Sequence, residues 1–324
     1  MNALRHQLAR LTDDLNGFSD PLDGTALLAL LRLLYRVGRE DLPLGRLFEG
    51  HVDALQIVSR YGDDGKRGRI ERIARDGGVL GVWNADLPGE ALRCQDWCLS
   101  GGKSFASGAG ILTHALVTVD VDGGRQLILV DLSRNTPEID RSFWNVVGMQ
   151  RSETHVVRWT GEPIIPADLV GQPGDYVREP WFSGGALRFA SVQAGGIAGV
   201  LDAVREHLVT TGRAGDPHQA TRLAALYGLA EEASGAVRRA AETWFENERT
   251  RLPLVAAARA AVYAAGGEAI KIAQEAVGVQ GLFVSHPLAA KLTDLAVYLR
   301  QPGPDAQRMQ VGAAVAAGVL VPEL

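Results

Sequence analysis

The most specific pattern in the sequence lies at residues 146–176, VVGMQRSETHVVRWTGEPIIPADLVGQPGDY. A glycine comes first, followed by small hydroxyl side chains, a β-branched run, an Ile–Pro pair and a Leu-x-Gly turn. These positions are Gly148, Ser152, Thr154, Val156, Val157, Ile165, Pro166, Leu169 and Gly171. Because β-branched residues bounded by turn-forming residues are typical of strands, the stretch predicts short strands joined by turns.

The residues on the N-terminal side of this stretch continue the β pattern. Apolar, β-branched runs occupy residues 78–84 (GVLGVWN) and 111–132, and Asp122-Gly123-Gly124 interrupts the second run. An Asp-Gly pair between two such runs is a strong hairpin signal. Residues 77–182 are therefore predicted to form a small, mostly antiparallel β domain.

Residues 1–76, before the β domain, carry helical patterns. Leucines recur with helical spacing over residues 4–15, and a leucine-rich helix is expected over residues 25–37. Asp41 is expected to cap a third helix, whose apolar stripe ends at Gly62. This segment is predicted to be an N-terminal helical domain.

Residues 183–324, after the β domain, return to helix. Their composition is rich in alanine, which permits close packing in a bundle. Helices are expected near residues 197–208, 218–248 and 253–277, and a shorter one from Pro287 that is ended by Pro302 and Pro304. The order of helices, small β domain and four-helix bundle makes the predicted fold class α+β.

The glycine-rich stretch GGKSFASGAG at residues 101–110 raises the question of a phosphate-binding loop. Such a loop lies between a strand and a helix and has a fixed glycine spacing before its lysine. No strand-to-helix transition follows this stretch, and the spacing is absent. We therefore predict a β hairpin at residues 101–110.

Composition limits the class of protein. The chain has 324 residues, of which 46% are hydrophobic, and its net charge of −5 argues against nucleic acid as the main partner. No signal peptide is expected, and the apolar run at residues 26–34 is too short to span a membrane. Cys94 and Cys98 do not make a disulfide framework and have no second ligand pair for zinc, so a cytoplasmic protein without a metal is expected.

The stretch at residues 146–176 resembles the end of the middle domain in the acyl-CoA dehydrogenase family. Residues 99–110, 189–204 and 285–299 resemble further parts of that family in the same order. The resemblance is collinear over about residues 40–300 and is closest to a divergent, short, acyl-CoA dehydrogenase-like branch. It implies a shortened N-terminal helical domain, a middle antiparallel β domain and a C-terminal four-helix bundle.

The resemblance implies a flavin, because members of that family bind FAD between the β domain and the C-terminal bundle. FMN is the less favoured alternative. In the family an aromatic residue covers the flavin and a hydroxyl two residues later bonds its N5 edge, and Phe105 and Ser107 match these positions. Residues two apart on a strand share a face, which would bring both side chains to the flavin. On a second strand, Trp83 and Asn84 match a backbone contact and a threonine side chain.

The resemblance also implies a site for the adenine arm of FAD, which in the family reaches a neighbouring subunit. Arg213 and Gln219 match two of its three family residues, with a shorter spacing and without the phenylalanine. The planar arginine fork suits a pyrophosphate. Alternatively, residues 218 and 219 simply begin a helix that is capped by Asp216. The family also implies a homodimer or homotetramer and a flavoprotein electron acceptor.

The family's catalytic carboxylate is missing from this sequence. A dehydrogenase of the family needs a glutamate to remove the proton α to the thioester carbonyl while hydride leaves the β carbon for flavin N5. The two family positions for this glutamate match Pro302 and Phe189, and neither residue can accept a proton. The loop that usually helps to hold acyl-CoA is shortened to residues 86–89. The missing glutamate puts standard α,β-dehydrogenation in doubt, and the shortened loop puts a standard CoA thioester substrate in doubt.

Three functional hypotheses stay open. The first is a flavoprotein oxidoreductase acting on a small molecule such as an acyl thioester, with a base from elsewhere, for example Glu49, although Glu49 reads more readily as a solvated helix residue. The second is a reduced-flavin monooxygenase of the same fold, which needs no such glutamate. The third is a degenerate scaffold that binds a partner without turnover. His286 is a further titratable candidate, although a His–Pro pair at a helix start is usually structural.

Overall fold

The structure, a computed structural model, describes residues 2–301 and 303–322. The chain divides into two compact units, and each is described by itself. Unit 1 comprises Met1–Asp20, Arg46–Asn145 and Gln150–Phe182, and unit 2 comprises Pro21–Gly45, Val146–Met149 and Ser183–Leu324. The expected three-domain division, with boundaries after residues 76 and 182, stays a prediction.

Helices occupy both ends of the chain and strands occupy its middle. The helices before the strands are α1 (Asn2–Thr12), α2 (Gly24–Glu40), α3 (Leu42–Tyr61) and α4 (Asp64–Arg75). The strands are β1 (Leu80–Trp83), β2 (Arg93–Gln95), β3 (Cys98–Ala106), β4 (His114–Val121), β5 (Gly124–Asp131), β6 (Glu138–Asp140), β7 (His155–Pro163) and β8 (Leu169–Val170). The later helices are α5 (Trp181–Gly184), α6 (Ala186–Thr210), α7 (Pro217–Glu242), α8 (Glu248–Val277), α9 (Pro287–Tyr298) and α10 (Pro304–Ala316).

Unit 1 contains two four-stranded sheets. Their strand orders are β1-β4-β5-β8 and β2-β3-β7-β6, and β1 and β4 form a parallel pair among otherwise antiparallel neighbours. The hairpin predicted at residues 122–124 is confirmed, since Val121 pairs with Gly124 across the turn. Gly123 in this turn has φ 94°, a conformation that glycine adopts without steric cost.

One face of the first sheet packs on α3 and α4. The cluster they share consists of buried apolar side chains: Ala54, Leu55, Ile57, Val58, Ile70, Ala74, Leu80, Leu116, Leu127, Leu129 and Val170. His51 of α3 is fully buried, and its Nδ1 accepts a hydrogen bond from the Leu80 backbone N–H at 3.0 Å. Its Nε2 lies 3.0 Å from Thr12 Oγ1. Burial lowers the pKa of His51 to about 4, so this imidazole is neutral near pH 7.

Residues 101–110 do not form a hairpin, and that prediction was wrong. β3 ends at Ala106, and the next strand, β4, belongs to the other sheet. The stretch is therefore the end of a strand and a turn that passes from one sheet to the other. Gly108 in this turn has φ 78°, and a Cβ there would lie 2.8 Å from Leu112 Cγ. Glycine is needed at position 108 because the turn between the two sheets is crowded and has a positive φ, which explains this glycine without a phosphate.

In unit 2, α6 packs against α2, α7, α8 and α9. The approach of α6 to α2 requires Gly195, because a Cβ there would lie 2.1 Å from the Tyr35 carbonyl oxygen. Gly148 of the 146–176 stretch is similarly pressed against α9, where a Cβ would lie 2.2 Å from the Thr293 carbonyl carbon. Beside it, the Met149 backbone N–H donates to the Asp294 carboxylate. The predicted helical bundle is confirmed.

Several helix boundaries were predicted wrongly. α7 ends at Glu242 and α8 begins at Glu248, so the expected helix over residues 218–248 is too long. Pro253 lies inside α8, and Pro304 begins α10. By contrast, α3 ends at Tyr61, next to the Gly62 where its apolar stripe was expected to end, and α4 lies within the predicted helical segment. No helix in the described residues is long and apolar enough to cross a membrane.

Candidate functional site

Phe105 lies at an interruption of the pairing between β3 and β7. Lys103 pairs with Val157 and Ala106 pairs with His155, with a shift of register between these two pairs. Phe105 itself has φ 51°, in the left-handed region that bulky side chains rarely adopt. The arrangement is a β-bulge that redirects the Phe105 side chain. Strained backbone of this kind concentrates at functional sites, so Phe105 stays a candidate.

The ring of Phe105 is exposed and belongs to an aromatic cluster. Phe105 is 56% exposed, whereas large apolar residues are usually buried. The ring packs edge-to-face against Phe143, with centroids 5.1 Å apart, and against Trp144 at 6.4 Å. Edge-to-face pairs are favourable and hold a ring in one orientation. One face of unit 1 thus presents a held aromatic ring.

Ser107 lies in the turn that follows β3, and a backbone hydrogen bond holds this turn against Phe105. The expectation that strand alternation puts both side chains on one face was wrong, because the strand ends at Ala106 and Phe105 is bulged. Instead, the Ser107 N–H donates to the Phe105 carbonyl at 2.9 Å, and Trp83 Nε1–H donates to the Ser107 carbonyl at 2.9 Å. The Ser107 hydroxyl accepts from Thr154 Oγ1 at 2.9 Å. These bonds fix the Ser107 hydroxyl beside the bulge.

Trp83 and Asn84 are held at the end of β1. The Trp83 ring is buried, 6.2 Å from the ring of Trp159. Asn84 is half-buried, and its Oδ1 accepts from Thr118 Oγ1 at 3.0 Å and from Arg125 Nη1 at 3.1 Å. The Nδ2 of Asn84 has no hydrogen-bond partner among the described residues, so it is a donor that a ligand could use.

A buried lysine lies behind Asn84. Lys103 Nζ is 2.5 Å from Asp86 Oδ1 and 2.9 Å from Thr118 Oγ1, and its side chain is fully buried. Arg125 Nη2 contacts the other Asp86 oxygen at 2.5 Å. Burial lowers the pKa of Lys103, and Asp86 opposes this only in part. Burial raises the pKa of Asp86, but hydrogen bonds from Lys103 and Arg125 outweigh it and hold that pKa below its usual value.

The shortened loop after β1 is attached to β3 by backbone hydrogen bonds. The Ser104 N–H donates to Ala85 at 2.9 Å, the Leu87 N–H donates to Gly102 at 3.2 Å, and the Gly102 N–H donates to Glu90 at 2.7 Å. Several backbone groups of residues 85–90 therefore already have hydrogen-bond partners inside unit 1. In a longer loop, such groups could turn toward a ligand.

Arg213 and Gln219 lie in unit 2, whereas the other four candidate residues lie in unit 1. Arg213 is exposed in the connection between α6 and α7. Asp216 caps α7 by accepting from the N–H groups of His218 at 2.9 Å and Gln219 at 3.0 Å, which confirms that these residues begin a helix. Gln219 is only 3% exposed, and its Oε1 has no hydrogen-bond partner among the described residues.

At one of the two positions matched to the family's glutamate, the ring of Phe189 lies against the guanidinium of Arg259. Phe189 of α6 is half-buried, and the guanidinium carbon of Arg259 of α8 lies 5.1 Å from its ring centroid. This is a cation–π contact. Burial lowers the pKa of Arg259. The second matched position, Pro302, lies outside the described residues.

The two other titratable candidates have structural partners. Glu49 is buried and accepts from Arg46 Nη1 at 2.6 Å, so the expectation of a solvated residue was wrong. His286 is the N-cap of α9, and its Nδ1 accepts from the Leu288 N–H at 3.1 Å. Its Nε2 lies 3.2 Å from His207 Nδ1. The structural interpretation of the His–Pro pair is confirmed.

No family model matches the sequence, and no curated protein matches it. Among solved structures, FMN-bound TdsC from Paenibacillus sp. A11-2 superposes with a TM-score of 0.81 at 17% identity, covering 98% of this chain and 90% of that chain. Butyryl-CoA dehydrogenase from Megasphaera elsdenii superposes with a TM-score of 0.79 at 16% identity, covering 97% and 90%. KijD3 in complex with FMN and a dTDP-sugar gives 0.77 at 22% identity, covering 99% and 86%.

The chain has the acyl-CoA dehydrogenase fold. The resemblance drawn from residues 146–176 and the three collinear stretches is confirmed at the level of this fold, with helices, two small sheets and a helical bundle in the expected order. The ligands differ among the neighbours, since TdsC, a dibenzothiophene monooxygenase, has also been seen with FMN and indole. The acyl-CoA dehydrogenase fold therefore does not by itself choose a substrate.

Sequence reasoning missed several contacts of Phe105 and Ser107. Phe143 and Trp144 were not singled out, although an adjacent aromatic pair just before the Gly148 motif is a usable signal. Thr154 was recognised as part of the motif without a contact to Ser107. Such contacts join segments far apart in the chain, and no local pattern encodes them.

A separate groove in unit 1 does not include the candidate residues. Its volume is about 730 Å³, and its apolar lining includes Trp97, Val119, Ile128 and Leu169. None of the six candidate flavin residues lines it. The features that mark a site at Phe105 are its exposed ring, the strained backbone that carries the ring and the Ser107 hydroxyl beside it.

Proposed function

We propose that this protein is a flavin-dependent oxidoreductase whose isoalloxazine lies against Phe105 and Ser107. The observation that carries the proposal is the hydroxyl of Ser107, a residue that is 9% exposed: this hydroxyl accepts from Thr154 at 2.9 Å and retains its own proton for another acceptor. It lies next to an exposed aromatic ring on strained backbone. A polar donor beside a flat apolar ring suits an edge-on and face-on contact with a heteroaromatic ring system.

Three residues of unit 1 offer groups that fit a flavin. The Phe105 ring offers an apolar face, Ser107 offers a hydroxyl donor, and Asn84 offers the unpartnered Nδ2. The Trp83 indole holds the Ser107 carbonyl and so keeps that turn in place. A bound flavin would supply two-electron transfer and, in its reduced form, the reaction with oxygen. The protein's residues would bind it, orient it and donate hydrogen bonds to its edge.

We propose FMN in preference to the FAD implied by the family resemblance. TdsC and KijD3, which share the fold, carry FMN. The glutamine expected at the adenine arm, Gln219, is almost completely buried within unit 2, which favours a cofactor without an adenine. Binding constants for FMN and FAD would separate the two cofactors directly.

Of the possible reactions, we propose oxygenation by reduced flavin over dehydrogenation of an acyl thioester. Phe189 beneath Arg259 replaces one matched glutamate with a cation over a ring, and this pair cannot abstract a proton. In oxygenation, one oxygen atom enters the substrate and the other leaves as water, with two electrons from the reduced flavin. A separate flavin reductase would supply those electrons, and no carboxylate base is required.

The substrate of this proposed reaction is a small molecule without a CoA arm. The short loop at residues 85–90 is bonded to β3, so it is not free to hold a CoA thioester. The buried Glu49 is paired with Arg46, which disfavours it as a substitute base.

The test uses the purified full chain in three steps. Addition of FMN or FAD should give the resolved absorbance bands of a bound oxidised flavin. Anaerobic mixing with acyl-CoAs of several chain lengths should not bleach those bands, and bleaching would refute the base-free proposal. Reduced FMN supplied by a flavin reductase reacts with oxygen by itself to give hydrogen peroxide, so the readout is the peroxide formed per oxygen consumed, which the chain should lower when an oxidisable small molecule such as indole is present. A folded protein that takes up neither flavin would instead support a scaffold without turnover.

A further inference from the structure

Three buried hydroxyl groups form a chain that ends at Ser107. Ser152 Oγ lies 2.8 Å from Thr154 Oγ1, and Thr154 Oγ1 donates to Ser107 Oγ at 2.9 Å. Ser152 and Thr154 are more deeply buried than Ser107, which is the member nearest to solvent. The chain thus runs from the interior of unit 1 toward its surface beside Phe105.

The direction of this chain follows from counting protons. A hydroxyl group has one proton to donate and two lone pairs that accept. Because Thr154 gives its proton to Ser107, the 2.8 Å contact between Ser152 and Thr154 requires Ser152 to be the donor there. Ser107 then keeps its own proton, and no described residue accepts it. The last donor of the chain is therefore available to a ligand.

The backbone holds the two ends of this chain together. The Gly108 N–H donates to the Ser152 carbonyl at 2.8 Å, and the Ala109 N–H donates to the Glu153 carbonyl at 3.0 Å. Glu153 has φ 44°, a left-handed conformation that places Thr154 opposite the turn after β3. Residues 107–109 and 152–154 are therefore fixed relative to each other, and the hydroxyl chain is preorganised.

We infer that Thr154 and Ser152 are positioning residues that orient the Ser107 hydroxyl as a donor to the edge of the bound flavin. This inference rests on the proposed flavin site. Accepting a hydrogen bond strengthens a hydroxyl as a donor, because consecutive bonds polarise one another in a low-dielectric interior. It also excludes the one of the three staggered positions in which the Ser107 proton would point at Thr154. The motif residues at 152 and 154 thereby act on the cofactor without touching it.

The test compares Thr154→Val, which keeps the shape and removes the hydroxyl, with Thr154→Ser, which keeps the hydroxyl. Thr160→Val is the matched control, since Thr160 is an exposed threonine on β7, the strand that begins directly after Thr154. The measurements are the FMN dissociation constant, the visible spectrum of bound FMN and its midpoint potential. We expect Thr154→Val to weaken FMN binding about 5- to 10-fold, the effect of losing one oriented hydrogen bond, and to shift the spectrum. Thr154→Ser and Thr160→Val should stay within about 2-fold of the parent.

A double-mutant cycle separates positioning from general structural damage. If Thr154 acts through Ser107, adding Thr154→Val to Ser107→Ala should change FMN binding little beyond Ser107→Ala alone. Additive losses, or a Thr154→Val protein that matches Thr160→Val, would overturn the inference. If Thr154→Val does not fold, Ser152→Ala replaces it in the same cycle.

The two failures are distinguishable. A folded parent protein that binds neither FMN nor FAD removes the proposed function, and the inference is rejected with it. A parent protein that binds FMN, with a spectrum and potential that Thr154→Val leaves unchanged, keeps the proposed function and rejects the positioning role alone.

Discussion

The ring of Phe105 packs edge-to-face against the ring of Phe143, with centroids 5.1 Å apart, while the Phe105 backbone is held at φ 51°. The left-handed conformation costs a residue with a side chain about 1–2 kcal/mol relative to its preferred conformations. The aromatic pair contributes about 0.5–1.5 kcal/mol, which offsets part of that cost. The bulge therefore exposes the Phe105 ring at a net cost to the free energy of unfolding.

Phe105→Gly and Phe105→Ala should separate stability from flavin binding. Both variants lose the ring, but glycine adopts φ 51° without the steric cost that alanine retains. We expect Phe105→Gly to be more stable than Phe105→Ala by about 1 kcal/mol in chemical denaturation. Both should lose flavin affinity to a similar extent, because the ring is what binds. Equal stability of the two variants would contradict the strain, and unchanged flavin affinity would contradict the ring's role.

The ion pair between Lys103 and Asp86 should respond unequally to removal of its two partners. Asp86→Asn leaves a fully buried ammonium group without a carboxylate, which we expect to cost about 3–5 kcal/mol of the free energy of unfolding. Lys103→Met leaves Asp86 partly exposed and still paired with Arg125, so it should cost about 1–2 kcal/mol. Denaturant titrations measure both values.

Asp120→Asn is the control for this pair. Asp120 is an exposed partner of Arg125, and its loss should change stability by less than about 0.5 kcal/mol. If Lys103→Met proved more destabilising than Asp86→Asn, this would contradict a charged, buried Lys103 paired with Asp86.

His51 should make the protein less stable in mild acid. Its folded pKa is about 4, below the ordinary value of 6.5, so the unfolded chain takes up this proton more readily than the folded chain. The neutral imidazole's full contribution is present above pH 6.5, and about 3 kcal/mol is lost as the pH falls from 6.5 to 4. Replacement by Gln, which can accept from Leu80 and donate to Thr12, should flatten this slope.

The matched control for His51 is His218→Gln, because His218 is exposed. Its pH profile of stability should parallel that of the parent protein. A His51→Gln profile as steep as the parent's would show that other groups cause the acid sensitivity.

Local patterns were sufficient to predict the elements and several of their ends. The Asp122-Gly123 turn, the Asp216 cap and the spacing of the 146–176 motif all depend on neighbours in the chain, and each was found as expected. Asp41 likewise accepts from the Leu44 N–H at 3.0 Å, as a cap should. Collinear order along the chain then indicated the fold.

The geometry of the site was not predictable from local patterns. The bulge at Phe105 contains no glycine to announce its left-handed backbone, so strand alternation was the natural and wrong expectation. Glu49 was expected in solvent because charged residues usually are, yet Arg46 one helical turn earlier lets it be buried. The bond from Thr154 to Ser107 joins residues 47 apart in sequence, which only the assembled sheets bring together.

Equilibrium titration of the purified, flavin-free chain with FMN measures whether Phe105 and Ser107 form a flavin site. We expect uptake of about one FMN per chain at micromolar concentration or below, with resolved visible bands, and at least about 10-fold weaker binding in Phe105→Ala. A folded chain that gains no bound-flavin spectrum with either FMN or FAD would contradict it, as would FMN binding that is indifferent to both Phe105→Ala and Ser107→Ala.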